Sequence, residues 1–232
     1  MAVSELLNRI QQEISGYNGL SAEEVDDEIH ITGKLDIGLG EEDKFDVLIV
    51  LGSGYPKTIP RTYETGGRVP REMDRHYYTG DGASCCLCMP HLLRQRFPEG
   101  APISVYIDRL VVPYFQNQVH YEITGKYVSE YSHGLLGIYE YYTELFGVKD
   151  LETIVRLVQA VVSHGLGGAR PCPCGGLKKQ RKCHLNAMKE LRRTALPNFE
   201  PQLKIDVENF KDVLSKGQRV ESATPDNKQI LA

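Results

Sequence analysis

With 232 residues, 41% hydrophobic and 25% charged side chains and no low-complexity block, the chain has a globular composition. It is long enough for one ordinary domain plus something smaller. Its formal charge of −4 gives no bulk electrostatic reason to expect nucleic acid or an anionic membrane as partner. No window approaches the roughly 18–20 apolar residues of a membrane span. The opening MAVSELLNRIQQEI lacks the basic start and unbroken apolar run of a signal peptide, so a cytoplasmic protein is expected. Thiols stay reduced in that compartment, and six cysteines then point to metal or nucleophile before disulfide.

Leu6, Leu7, Ile10 and Ile14 recur at helical spacing behind Ser4, a suitable N-cap. VDDEIHITGKLDI (25–37) alternates as a half-buried strand, GLGEED is a turn, and KFDVLIVLG (44–52) reads as a buried strand. The prolines of YPKTIP (55–60) interrupt any ladder. Residues 62–89 form an irregular functional loop, with one short strand near Arg61–Glu64. Ile107, Leu110, Val111, Tyr114, Phe115 and Val119 share a helical face that Pro113 should kink or split. SEYSHGLLGIYEYYTELFG (129–147) is a further helix, with small-residue approaches at Gly134 and Gly137. LETIVRLVQAVV carries a clean amphipathic stripe that stops before Gly165. GLGGAR (165–170) is the most linker-like stretch. Beyond it lie a Cys/His segment, a basic helix (MKELRRTAL) and, from Gly217, a tail of disordered composition.

RPCPCGGLKKQRKCH holds Cys172, Cys174, Cys183 and His184. A tight C-x-C pair, a glycine turn and an adjacent C-H pair supply the four soft or borderline ligands of a tetrahedral zinc ion. With four protein ligands the site is closed and structural. The stretch CPCGGLKKQRKCH resembles the SEC-C zinc motif, which implies a small zinc-stabilised module that contacts a partner protein.

Zinc suits Cys85, Cys86 and Cys88 poorly. Neighbouring cysteines in an extended segment face opposite ways, and a fourth ligand would have to be His76 or His91. The other reading is one reactive thiol with two small hydrophobic neighbours.

Here the order of several pieces matters. FDVLIVLGSGYPKTIP, then RHYYTGDGASCCL, then a helical half resemble ubiquitin-conjugating enzymes, in particular bacterial relatives found beside activating-enzyme-like proteins in antiphage operons. Tyr55, Pro56 and Pro60 match the family's YP-x-x-x-P element, and Arg75-His76 its histidine. Cys86-Leu87 with Pro90 matches the active cysteine, and Ser132-His133-Gly134 a later histidine–glycine pair. The resemblance spans residues 1–147. It implies an α+β, UBC-like fold with an N-terminal helix, an antiparallel meander sheet, a cysteine loop and C-terminal helices. It also implies Cys86 as the thioester-forming nucleophile, with Cys85 as runner-up and His76 as loop support or base. The family's asparagine is absent from His76-Tyr77-Tyr78, so oxyanion support would fall to backbone N–H groups, a tyrosine hydroxyl or another donor. The carboxylates Glu64, Glu72, Asp74 and Asp81 are candidates for orienting an incoming amine.

The domains expected are a catalytic domain at 1–147, a helix and linker at 148–168, a zinc module with one structural ion at 169–216, and the tail. The expected partners are an activating-enzyme-like protein and a ubiquitin-like modifier or target-protein C-terminus, with a nucleotidyltransferase-type defence protein as a further one. A catalytically inactive adaptor of the same fold is the alternative.

Overall fold

The computed structural model describes residues 3–72, 75–78, 82–128, 131–132, 134–163, 165–194 and 200–220. Packing divides the chain into two compact units, residues 1–129 and 130–232.

The first unit is α+β. Helix α1 (Val3–Glu13) leads into four strands, β1 (Leu20–Val25), β2 (Glu28–Asp36), β3 (Lys44–Leu51) and β4 (Arg61–Glu64), which form an antiparallel meander in chain order. The helix already includes Val3, so Ser4 lies in its first turn and does not cap it. The stretch 25–37, read as one strand, turns back at Asp26-Asp27. Both residues take left-handed φ (49° and 64°), and Val25 pairs with Glu28 across them. Two left-handed central residues make the hairpin turn that matches strand twist, and aspartate tolerates that conformation.

Alternation then builds the core. Cross-strand pairs Ile29–Leu51, Ile31–Ile49 and Leu35–Phe45 are all buried on one face of the sheet. Against that face pack Ile10 and Ile14, and a long helical segment made of α3 (Ile103–Tyr106), a π turn (Ile107–Val111) and α4 (Val112–Thr124). Phe45 and Phe115 stack with ring centroids 4.4 Å apart. Each such side chain contributes about 1.5–3 kcal/mol when fully buried.

Pro113 does not split this helix. It sits in the first turn of α4, directly after the π turn. Apolar residues recurring every four positions drift by about 40° per repeat around an α-helix. The wider π turn takes back much of that drift, so Ile107 through Val119 stay on one face.

In the second unit, α5 (Gly134–Phe146), α6 (Leu151–Val162), α7 (Leu185–Thr194) and α8 (Glu200–Ser215) pack together. Helix α5, grouped with the first 147 residues by sequence, packs on α6, α7 and α8. Asp150 caps α6, accepting from Thr153 N at 2.8 Å. The close approach at Gly137 comes from the Ser132 carbonyl of its own chain, 1.8 Å from where a Cβ would stand. The GLGGAR stretch is not a free linker: the buried Gln180 side chain accepts from Gly167 N (2.9 Å) and donates to the Gly165 carbonyl (3.0 Å). Residues 217–220 are described and Val220 is buried, whereas 221–232 lie outside the described residues. Among the described residues no helix is long and apolar enough to cross a membrane.

Gly33 shows how tightly the sheet is joined to the chain entering it. Its φ is +133°, and a Cβ there would stand 1.8 Å from the Gly19 carbonyl oxygen. Gly33→Ala is therefore expected to destabilise the protein by at least about 2 kcal/mol, read from the midpoint of a urea unfolding curve.

Candidate functional site

The cysteine loop is held by ladders on both sides. Cys85 donates its N–H to the Thr62 carbonyl of β4 (2.7 Å). On the other side, Tyr78 N donates to the Ser84 carbonyl (2.9 Å) and Cys86 N to the His76 carbonyl (2.7 Å), with Tyr77 and Cys85 as the paired residues between. Strand alternation then sorts the side chains. Tyr77 and Cys85 point inward and are buried, while Tyr78 and Cys86 are partly exposed.

The segment opposite the cysteines rests on α4. The Tyr114 hydroxyl donates to the carbonyls of Arg75 (3.2 Å) and His76 (3.3 Å). Gln118, itself buried, donates to the Arg75 carbonyl (3.1 Å) and accepts from the Arg75 guanidinium at 2.9 Å. That guanidinium lies over the Tyr121 ring, which stacks on Tyr127, and Tyr127 meets the His76 ring edge-on at 4.6 Å. His76 has a left-handed φ of 57° and is fixed through both its carbonyl and its ring. Tyr114, Gln118 and Tyr121 follow the i, i+4, i+7 spacing of one helix face. A glutamine inside an otherwise apolar stripe was the signal that this face also serves the loop.

The three thiols differ. Burial pushes the Cys85 thiol up to about 12, where it lies beside Tyr114 and Tyr77. Burial likewise pushes Cys88 up to about 12, and its sulfur sits 3.5 Å from the Met89 carbonyl. Both are therefore neutral thiols at physiological pH. Cys86 neighbours the Tyr78 hydroxyl. Burial first, and the neighbouring Cys86 second, hold that hydroxyl well above its ordinary range, so it keeps its proton as a donor. Leu87 packs against the core and Pro90 starts α2 (Pro90–Arg96), fixing the chain beyond the cysteines.

Of the carboxylates considered for orienting an amine, Glu64 is buried and accepts from the backbone of Gly67 (3.0 Å) and Arg68 (3.3 Å), which occupies it in a turn. Glu72 is exposed. Asp74, Asp81 and His133 lie outside the described residues.

A second constellation forms in the other unit. Pro171 and Lys179 pair as an antiparallel bridge, Gly175 turns the chain with φ of +82°, and a 3-10 turn (Gln180–Lys182) delivers Cys183 and His184 at the start of α7. The ligand atoms of Cys172, Cys174, Cys183 and His184 all lie within 4.8 Å of one another. Cys174 and Cys183 sulfurs are 3.7 Å apart, far beyond a disulfide bond of about 2.05 Å. His184 Nδ1 lies 3.3 Å from the Cys172 sulfur and 3.2 Å from that of Cys183. Ligands bonded at about 2.0–2.3 Å around a tetrahedral ion stand about 3.3–3.8 Å from each other. The four residues fit one metal ion with no position left open for substrate. Among the described residues no second group of three such ligands converges, so Cys85, Cys86 and Cys88 do not form a metal site with described neighbours.

Two outcomes follow. Brief alkylation with iodoacetamide at pH 7.5 should label Cys86 ahead of Cys85 and Cys88, because burial holds the latter two thiols protonated at that pH; peptide mass mapping reads the order. Native mass spectrometry should find one divalent ion per chain, and none in Cys174→Ser. Compared with known proteins, the chain matches no family model, no curated protein and no solved structure, so a functional reading rests on this geometry and on the sequence.

Proposed function

We propose that the first unit is a ubiquitin-conjugating-type acyl carrier, with Cys86 as the thioester-forming residue. The observation that carries this reading is the sorting of three neighbouring thiols. Burial keeps the Cys85 and Cys88 thiols neutral, and Cys86, half-buried as Cys88 is, neighbours the protonated Tyr78 hydroxyl. The order of helix, four-strand meander, cysteine loop and helices agrees with the UBC-like reading of the sequence.

In the proposed reaction the Cys86 thiolate attacks the carbonyl carbon of a thioester that an activating enzyme carries. The tetrahedral intermediate collapses by expelling the activating enzyme's cysteine as a thiolate. An amine then attacks the new thioester, loses a proton to solvent, and expels Cys86 as the amide forms. The Tyr78 hydroxyl donates to sulfur each time Cys86 bears negative charge, before attack and on departure. It thereby takes a role beside the one vacated by the family's asparagine. His76 positions the loop through its carbonyl and ring.

The second unit's ligand set, three thiolates and one imidazole in a closed tetrahedron, suits zinc in a structural role. The setting that the sequence suggests, a bacterial antiphage operon with an activating enzyme, a small modifier and a nucleotidyltransferase-type partner, belongs to the same proposal.

The test uses a short peptide thioester ending in glycine. Incubation should acylate Cys86 in a form that dithiothreitol releases, whereas Cys86→Ser should yield a dithiothreitol-stable oxyester or no adduct. Cys85→Ser and Cys88→Ser should retain the adduct. Acylation that survives intact in Cys86→Ser with its dithiothreitol lability would overturn the assignment. An unacylated wild-type chain would favour the adaptor reading. Tyr78→Phe should slow acyl transfer on the order of tenfold, the loss of one hydrogen bond to a charged group of about 1.5 kcal/mol.

A further inference from the structure

The formal charge of −4 conceals two opposite regions. Residues 165–194 carry eight Lys and Arg against Glu190 alone, a formal +7, which leaves −11 on the rest of the chain. All eight cations are exposed. Only Arg193 is paired, to Glu190 at 2.7 Å; among the described residues the other seven have no ion-pair partner.

The fold gathers them. Lys178 and Lys179 lie at the end of the hairpin that Gly175 turns, and Arg181 and Lys182 follow in the 3-10 turn. The Cys/His cluster ties this hairpin to the start of α7. On α7 Leu185, Met188, Leu191 and Thr194 are buried, while the Lys189, Arg192 and Arg193 side chains are exposed. The module's charged surface is thus almost wholly cationic. Its one fully exposed large apolar side chain is Leu177, at the hairpin turn.

We propose that this module binds the phosphate backbone of nucleic acid, without reading its sequence. Like charges crowded on so small a body repel one another and need a polyanion more than an ordinary protein surface. A specific acidic protein would be met by interspersed acceptors and an apolar centre, and here Glu190 is already taken and Leu177 stands alone. No Phe, Tyr or Trp occurs between residues 165 and 194, so base stacking is not on offer and phosphates are the matching group. A duplex, with the higher charge density, is the preferred form. This inference stands independently of the acyl-carrier reading.

The test is fluorescence anisotropy of the metal-loaded full chain with two unrelated 20-base-pair DNA duplexes. Both duplexes should bind equally at 50 mM salt. For about four phosphate contacts, affinity should fall on the order of a hundredfold by 200 mM salt. The triple variant Lys178→Glu, Lys179→Glu, Lys189→Glu should lose about tenfold or more, with its ion content by native mass spectrometry unchanged. Absence of binding at 50 mM salt, or an affinity indifferent to the triple variant, would overturn the proposal. Tighter binding to poly-glutamate than to duplex at equal charge concentration would assign the face to an acidic protein instead.

Discussion

Cys85 donates its backbone N–H to Thr62 at the outer side of β4, and the opposite facing of Cys85 and Cys86 follows from that bond. Once residue 85 is laid against the sheet, its side chain must enter the core, and residue 86 must leave it. The second ladder, from Tyr78 and Cys86 to Ser84 and His76, fixes the same alternation from the other side. A slip of one residue would bury Cys86 and expose Cys85, exchanging the two thiols' chemistry. The hydrogen bonds around α4, from Tyr114 and Gln118, serve to keep that register.

Much of this was legible because the physical signals are local. The apolar run 44–51, the short strand at 61–64 and the stripe of 151–162 are periodic patterns that tertiary structure had no reason to overrule. The four ligands at 172–184 were legible because a metal site made within one short segment must carry its geometry in its spacing. The turn at Asp26-Asp27 was missed because neither residue is glycine, and alternation continues on both sides of it. Pro113 and GLGGAR were misjudged for a common reason. A proline or a glycine run signals what a segment can do, whereas the π turn and the buried Gln180 decide what it does. The support beneath His76 comes from residues some forty positions later, a distance that no local pattern spans.

The cationic module also sharpens the role of its Cys/His cluster. Three thiolates and one divalent ion sum to −1, so a filled site would be a small negative centre inside a shell of Lys and Arg. Charge neutralisation, and not only chain closure, would then be part of what the metal contributes to this unit.

The π turn ahead of Pro113 carries a consequence for how the loop can vary. Helices that advance by 3.6 residues per turn carry a four-residue stripe away from its partner within a few turns. By widening one turn, this helix keeps Leu110 and Phe115 on the sheet while Tyr114 and Gln118 stay beneath Arg75 and His76. The position of the Cys86 sulfur is thereby indexed to helix phase. A single-residue deletion between Ile107 and Val111, far from the loop in sequence, would turn its foundation to another compass bearing.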